Sequence, residues 1–191
     1  MDYQQIIDKY YPDDNELRRI LLVHSQGVAD KALSIVDRHP ELKLDRQFVL
    51  EAAMLHDIGI CRCHAPGIHC FGTQPYICHG HEGAEMLRAE GLPRHARVCE
   101  RHTGAGLSVA DIRQQALPIA VPPCPPGISP SSWEPFMPET LEEQLICYAD
   151  KFFSKTRPEE EKTFEQAERS LMKFGPEGVA RFRQWREMFY S

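Results

Sequence analysis

Residues 52–60 read AAMLHDIGI, an apolar stretch that leads directly into a histidine and an aspartate. The apolar positions before the pair recur at helical spacing, and Asp45 is a suitable N-cap for such a helix. Gly59 is a plausible helix stop. The pattern predicts a helix that carries His56 on its apolar face, with Asp57 beside its end. Alone, the pair means little, because adjacent histidine and aspartate are common by chance.

Helical patterns flank this stretch on both sides. Apolar residues from Leu17 onward recur at three- or four-residue steps, with His24 inside the stripe, until His39-Pro40 ends the helix. Taken alone, His24 would be a core histidine. Further helices are predicted over 79–90, 93–102, 140–155, from Pro158 onward and after Gly175-Pro176, with room for a short one near 108–116.

The expected fold class is all-α, a single-domain helical bundle over residues 1–191. Residues 60–78, rich in Gly, Pro, Cys and His, are expected to form a loop, and no stretch predicts a convincing strand. Eight of the fifteen prolines lie in 118–138, which predicts an extended crossing loop. We expect 17–155 to hold the motif core and 156–191 to add C-terminal helices that pack on it.

Composition narrows the function classes. The chain has a net charge of −6 and no basic footprint, which argues against duplex nucleic acid and an anionic membrane surface as partners. No basic or apolar leader and no apolar run of about 18 residues is present, so the expected location is the cytoplasm. The seven cysteines are expected to be reduced thiols. The expected state is a monomer or a homodimer.

Several further residues suit metal chemistry. Asp150 borders an apolar helical face, where a carboxylate is costly unless it is paired or bound to a metal. His79 and His102 lie at predicted helix ends beside small residues such as Gly83 and Ala84. Imidazoles and carboxylates that converge inside a helical bundle suit a transition metal.

The order His24, His56-Asp57, Asp150 resembles the HD-domain superfamily of metal-dependent phosphohydrolases. The strings AAMLHDIGI at 52–60 and ICYADKFFSK at 146–155 carry this resemblance. HGHEGAEML at 79–87 and ERHTGAGL at 100–107 are similar to the subgroup with two extra histidines. The resemblance covers roughly residues 17–155.

The resemblance implies a centre of two divalent metal ions, iron or manganese first, with zinc, magnesium or nickel as alternatives. Asp57 would bridge the ions, and a bridging water would attack phosphorus in a nucleotide or a related small phosphate ester. His81 is an alternative ligand or a phosphate contact, and Lys151, Arg62 or Arg101 could also contact phosphate. The implied ligands are His24, His56, Asp57 and Asp150 for the first metal and Asp57, His79 and His102 for the second.

The sequence also departs from part of this superfamily. Its cyclic-dinucleotide phosphodiesterases usually carry a lysine three residues after the motif aspartate, where this chain has Ile60, and their Gly-Tyr-Pro signature is absent. That activity is therefore disfavoured, whereas cleavage of a dinucleoside polyphosphate is one specific option. Two other functions stay open: a di-iron oxygenase with the same ligands, and a non-catalytic sensor of nucleotide or metal.

The segment CRCHAPGIHC at 61–70, followed by Cys78, raises a structural zinc site as an alternative. Its spacing differs from two close cysteine pairs, so a loop over the active site with half-buried thiols is the favoured interpretation. Phe71 or Tyr76 could stack on a base, although a core role is the simpler expectation for each.

Overall fold

The protein is mainly helical in the computed structural model, which describes residues 1–190. Its helices are α1 Tyr3–Tyr10, α2 Glu16–Arg38, α3 Arg46–Leu55, α4 His79–Ala89, α5 Pro93–Arg101, α6 Val109–Gln114, α7 Leu141–Asp150, α8 Phe164–Leu171 and α9 Pro176–Tyr190. The all-α class is confirmed. None of these helices is long and apolar enough to cross a membrane.

Three helices differ from the prediction. The helix predicted over 140–155 ends at Asp150, five residues earlier than expected. No helix begins at Pro158; α8 begins at Phe164, because Thr163 and Gln166 form a capping box that satisfies the backbone there. At the other end of the chain, α1 was not predicted. Asp2 caps it by accepting hydrogen bonds from the backbone N–H groups of Gln4 and Gln5.

The segment after α3 contains short strands, so the expectation of no strand is wrong there. They are β1 Cys63–Ala65, β2 Cys70–Phe71 and β3 Gln74–Pro75, in the order β2-β1-β3. β1 is antiparallel to β2 and parallel to β3. A Cβ at Gly72 would lie 2.2 Å from the Arg62 backbone, so this close pairing depends on glycine. Strands of two or three residues are too short to show the alternation of apolar and polar residues that predicts a strand.

Close packing of the His-Asp turn against α4 positions the centre of the molecule. A 3-10 turn over Ile58–Arg62 follows α3 directly and contacts α4. A Cβ at Gly59 would lie 2.3 Å from both Gly83 N and His79 O. Glycine at this position therefore lets the turn approach the start of α4. On the opposite side, α2 packs on both α3 and α7, and α4 packs on α5.

The C-terminal residues pack on the same hydrophobic core. Phe182 and Phe189 of α9 are fully buried, with ring centroids 4.9 and 5.6 Å from that of Tyr148 in α7. The predicted proline-rich crossing is confirmed: between α6 and α7 it holds only a 3-10 turn at Pro130–Ser132, and Phe136 anchors it on a small second cluster.

Candidate metal centre

Five separate helices bring six buried side chains to one point. His24 comes from the middle of α2, and His56 and Asp57 follow the end of α3. His79 is the first residue of α4, His102 follows the end of α5, and Asp150 is the last residue of α7. All six are less than 9% exposed. They are the six residues that the sequence singled out, and helix termini account for most of them.

Four of these residues form one group of possible metal ligands. His24 Nε2 lies 2.9 Å from Asp57 Oδ2 and 3.0 Å from Asp150 Oδ1. His56 Nε2 lies 3.0 Å from Asp57 Oδ2 and 3.4 Å from Asp150 Oδ1. One ligand atom from each of the four residues lies within 4.8 Å of the others.

The second group uses the other oxygen of the same aspartate. The Nε2 atoms of His79 and His102 each lie 3.4 Å from Asp57 Oδ1 and 3.0 Å from one another. Asp57 is thus shared: Oδ2 faces the first group and Oδ1 faces the second. A carboxylate in this position is suited to bridge two ions.

The nitrogen and oxygen atoms of the cluster are arranged to bind a cation and not to hydrogen-bond to one another. The Nδ1 atom of three rings faces the backbone carbonyl three residues earlier, at 2.6 Å for His56, 2.7 Å for His79 and 2.7 Å for His102. When Nδ1 donates to that carbonyl, a neutral ring presents the Nε2 lone pair to the carboxylates. Neither buried oxygen of Asp57 accepts a hydrogen bond of normal geometry from residues 1–190. Lone pairs that face one another in a buried site require protons or metal ions between them.

The histidines of the two groups differ in charge state. Burial disfavours the charged form of His56, but Asp57 and Asp150 favour it more, and the pKa of His56 rises to about 9. Burial, with help from His102 and Lys155, lowers the pKa of His79 to about 3. Burial also lowers the pKa of His102. The second group therefore offers neutral imidazoles, whereas the first holds a proton that a metal ion would displace.

Lys155 is a site residue that the sequence interpretation missed. Its ammonium lies 2.6 Å from Asp57 Oδ2, although Lys155 is five residues beyond Asp150 and outside α7. Ile60, three residues after the motif aspartate, is buried in the core. The sequence feature that could have pointed to Lys155 was its place in the string at 146–155, which resembles the family motif around Asp150. Helical spacing alone would have placed it elsewhere.

A cleft of about 520 Å³ opens beside the two groups. His79, His102 and Asp150 lie in its wall, and residues of the 60–78 segment, among them Ile68 and Tyr76, form part of its rim. Its charged lining is one carboxylate and four ammonium groups, from Lys151, Lys155, Lys162 and Lys173. Such a volume is ordinary for a small-molecule site, and this lining favours an anion.

The other candidate phosphate contacts lie in different places. Lys151 lines the cleft, where its ammonium is 2.6 Å from Asp150 Oδ2 and 3.0 Å from the carbonyl oxygen of His102. His81 faces away, with Nδ1 3.9 Å from Glu100 Oε1 in a separate small cavity. Arg62 pairs with Glu82 on the surface, and Arg101 is buried against Glu139 and Glu143. Only Lys151 of these four lies in the cleft.

The cysteine-rich segment does not assemble a metal site. None of its cysteines joins a group of three or more close potential ligands within residues 1–190. Burial raises the pKa of Cys63 to about 12 and of Cys70 to about 11, so both stay protonated thiols. Tyr76 stacks on the His79 ring at 4.8 Å, whereas Phe71 is largely exposed. The segment acts as a wall of the cleft.

Three known proteins are similar to this chain in sequence. The chain is 29% identical over 159 residues to a tRNA (cytidine(56)-2'-O)-methyltransferase of Picrophilus torridus; the match covers 78% of this chain and 38% of that protein. It is 30% identical over 135 residues to the enzyme of the same name from Thermoplasma volcanium, covering 70% of this chain and 32% of that one. An uncharacterized protein of Methanocaldococcus jannaschii, MJ0778, is 29% identical over 157 residues, with coverage of 80% and 78%.

This chain thus spans 38% of one methyltransferase and 32% of the other. No solved structure matches it. The HD domain family model matches residues 21–154, a range that contains all six clustered residues. With the His/Asp cluster on five helices and this match over most of its length, the chain belongs to the HD domain family.

Proposed function

We propose that the protein is a metal-dependent phosphohydrolase that cleaves a phosphate ester of a nucleotide or a related small molecule. One observation carries this proposal: the six-residue centre opens onto a cleft lined by four lysines. The net charge of the chain is −6, so this concentration of ammonium groups is local. Transfer of a phosphoryl group needs positive charge near its oxygens and a site for the metal ions that take part in the reaction.

We assign the six residues as ligands of two divalent metal ions, in the two groups that share Asp57. Mixed imidazole and carboxylate donors suit iron or manganese first, with zinc, magnesium or nickel as alternatives. When bound, such ions supply Lewis acidity and lower the pKa of a water molecule toward neutrality. The residues that would hold the first ion are His24, His56, Asp57 and Asp150, and those for the second are Asp57, His79 and His102.

The chain's own groups position and neutralise the substrate. Lys151 and Lys155 line the cleft next to the centre, where their ammonium groups can donate hydrogen bonds to phosphoryl oxygens. Carbonyl oxygens hold the imidazoles of His56, His79 and His102 in one orientation. Burial keeps bulk water from Asp57, which strengthens every charge interaction there.

The names of two relatives raise methyl transfer to tRNA as an alternative. This chain corresponds to 38% and 32% of those proteins, so we propose that it shares the matched portion and not the methyl-transfer activity of the whole. Transfer of a methyl group from a donor to tRNA, tested with purified protein, distinguishes the two activities.

The test is metal analysis of the purified protein, quantified per chain, together with a turnover screen of nucleotides, dinucleoside polyphosphates and simple phosphate esters with and without oxygen. About two ions per chain with oxygen-independent phosphate release support the proposal. Two irons with oxygen uptake and no phosphate release would assign a di-iron oxygenase instead. Tight nucleotide binding without turnover would assign a sensor. The Asp57→Asn variant serves as the control that lacks the shared ligand.

A further inference from the structure

Part of the cleft is lined by residues that are not candidate metal ligands. We call this part the outer half, and it includes Lys162 and Lys173. Lys162 lies between α7 and α8, and Lys173 lies in the 3-10 turn Met172–Phe174 that follows α8. Both line the cleft, and both lie beyond residue 154, where the family match ends. This part of the wall therefore comes from the C-terminal segment, outside the family match.

The two halves of the cleft differ in how their lysines are neutralised. Lys151 and Lys155 contact the carboxylates of Asp150 and Asp57 at 2.6 Å each. The ammonium of Lys162 instead donates to the carbonyl oxygen of Lys151 at 3.3 Å, and that of Lys173 lies 4.9 Å from the Phe174 ring centroid. Over residues 1–190 no carboxylate lies within ion-pair distance of either of these outer ammonium groups. Both residues line the same cleft, and neither ammonium is neutralised by a carboxylate there.

The neighbouring groups also suit a ligand larger than a single phosphate. The hydroxyl-bearing residues Thr156 and Ser170 and the ring of Phe174 line the same outer half. A volume of about 520 Å³ exceeds what one phosphoryl group at the centre would fill. Lys162 is half-buried and Lys173 is exposed. The half-buried ammonium of Lys162 is the one for which less water competes with an anion.

We propose that Lys162 and Lys173 form a second anion subsite, so that the preferred substrate is a phosphate ester carrying at least one further phosphoryl group. Nucleoside diphosphates and triphosphates and dinucleoside polyphosphates belong to this class. The inference rests on the proposed function, since one phosphoryl group has to lie at the Asp57 centre while another lies at the subsite.

The experiment measures anion binding to the metal-loaded protein by calorimetry, with inorganic phosphate and tripolyphosphate as probes. The double variant Lys162→Gln/Lys173→Gln should bind tripolyphosphate about tenfold or more weakly than wild type, the loss expected for charge-assisted hydrogen bonds. Its affinity for phosphate should stay within about twofold, because that anion binds at a separate place. Lys173→Gln alone should weaken tripolyphosphate binding by less than the double variant does, and it should likewise leave the affinity for phosphate within about twofold.

Lys43→Gln is the matched control, since it removes one ammonium outside the cleft lining. Unchanged tripolyphosphate affinity in the double variant, or an equal loss in the control, overturns the subsite. Binding is measured without turnover, so the two proposals fail separately. A loss of tripolyphosphate affinity in a protein that hydrolyses nothing supports the subsite and overturns the hydrolase. Equal kcat/KM of wild type and double variant toward monophosphate and triphosphate esters overturns the subsite and leaves the hydrolase standing.

Discussion

The ammonium of Lys155 lies 2.6 Å from Oδ2 of Asp57, the carboxylate that both ligand groups share. Asp57 is fully buried and the Lys155 side chain is 11% exposed. Burial opposes the charged form of Lys155, but the carboxylates of Asp57 and Asp150 outweigh it and raise the pKa of Lys155. In the metal-free protein this lysine therefore neutralises part of the charge that metal ions would neutralise.

Replacing Lys155 should destabilise the metal-free protein more than the metal-loaded one. Lys155→Met leaves the buried Asp57 carboxylate short of one cation, at a cost of about 3 kcal/mol. Bound metal supplies positive charge at the same carboxylate, so the loss in that state should be smaller. Urea denaturation of both forms measures the difference, with Lys43→Gln as the control for a lost lysine. The same destabilisation in both forms would show that Lys155 acts independently of the metal site.

The Asp57→Ala variant should lose both metal ions and all activity while it keeps most of its helix content. Both groups need an oxygen of this carboxylate, whereas the surrounding helices are held by the apolar core. Metal content per chain and circular dichroism are the measurements. Normal metal content in this variant would remove Asp57 from the bridging role.

The two ligand groups should be separable by mutation. His102→Ala should lower the metal content by up to half, because His102 belongs only to the second group. His24→Ala, its matched counterpart in the first group, should lose the other ion and leave the second group's residues intact. Binding titrations of the two variants with one metal at a time resolve which site is left. Wild-type behaviour of His102→Ala would indicate a mononuclear centre.

Metal binding should release protons and strengthen with pH. The pKa of His56 in the metal-free protein is about 9, because Asp57 and Asp150 outweigh the effect of burial. At pH 7.5 the ring is charged, so an arriving metal ion should displace about one proton per chain. An indicator in weak buffer measures this release, and His56→Gln should show less of it. Metal affinity that does not change between pH 6.5 and 9 would contradict the assignment.

His56 should also make the stability of the metal-free protein depend on pH. This stability should fall as the pH rises, whereas metal affinity should increase. The folded pKa of His56, about 9, lies above the unfolded value of 6.5. Its stabilising contribution is therefore fully present below pH 6.5 and is lost as the pH rises toward 9. The urea midpoint of the metal-free protein should fall across this window in wild type and fall less in His56→Gln.

Gly59→Ala should disrupt the approach of the His-Asp turn to α4. The added Cβ would lie 2.3 Å from backbone atoms of Gly83 and His79, which cannot move aside as a flexible side chain could. We expect a loss of about 3 kcal/mol in the free energy of unfolding, and weaker binding of the second metal ion. Gly67→Ala is the control, because a Cβ there meets nothing within 4 Å. Equal stability of the two variants would show that the turn relaxes without cost.

Local periodicity determined most of the helices, and the resemblance to the HD-domain superfamily implied the six residues that cluster. The stripe around His24, the N-cap at Asp45 and the helix ends at His79, His102 and Asp150 are short-range features, which hydrophobic period and capping chemistry reveal directly. The position of His24 and the four strings, in that order, added the expectation that these residues meet.

Tertiary structure alone decided how Asp57 divides its two oxygens, where Lys155 lies and which way His81 faces. It also decided the short strands after α3 and the placement of Lys162 and Lys173 in the lining of the same cleft. Each of these features depends on the approach of elements far apart in the chain or on the path of an irregular segment. No local period or propensity encodes such approaches, because they result from the packing of the whole core.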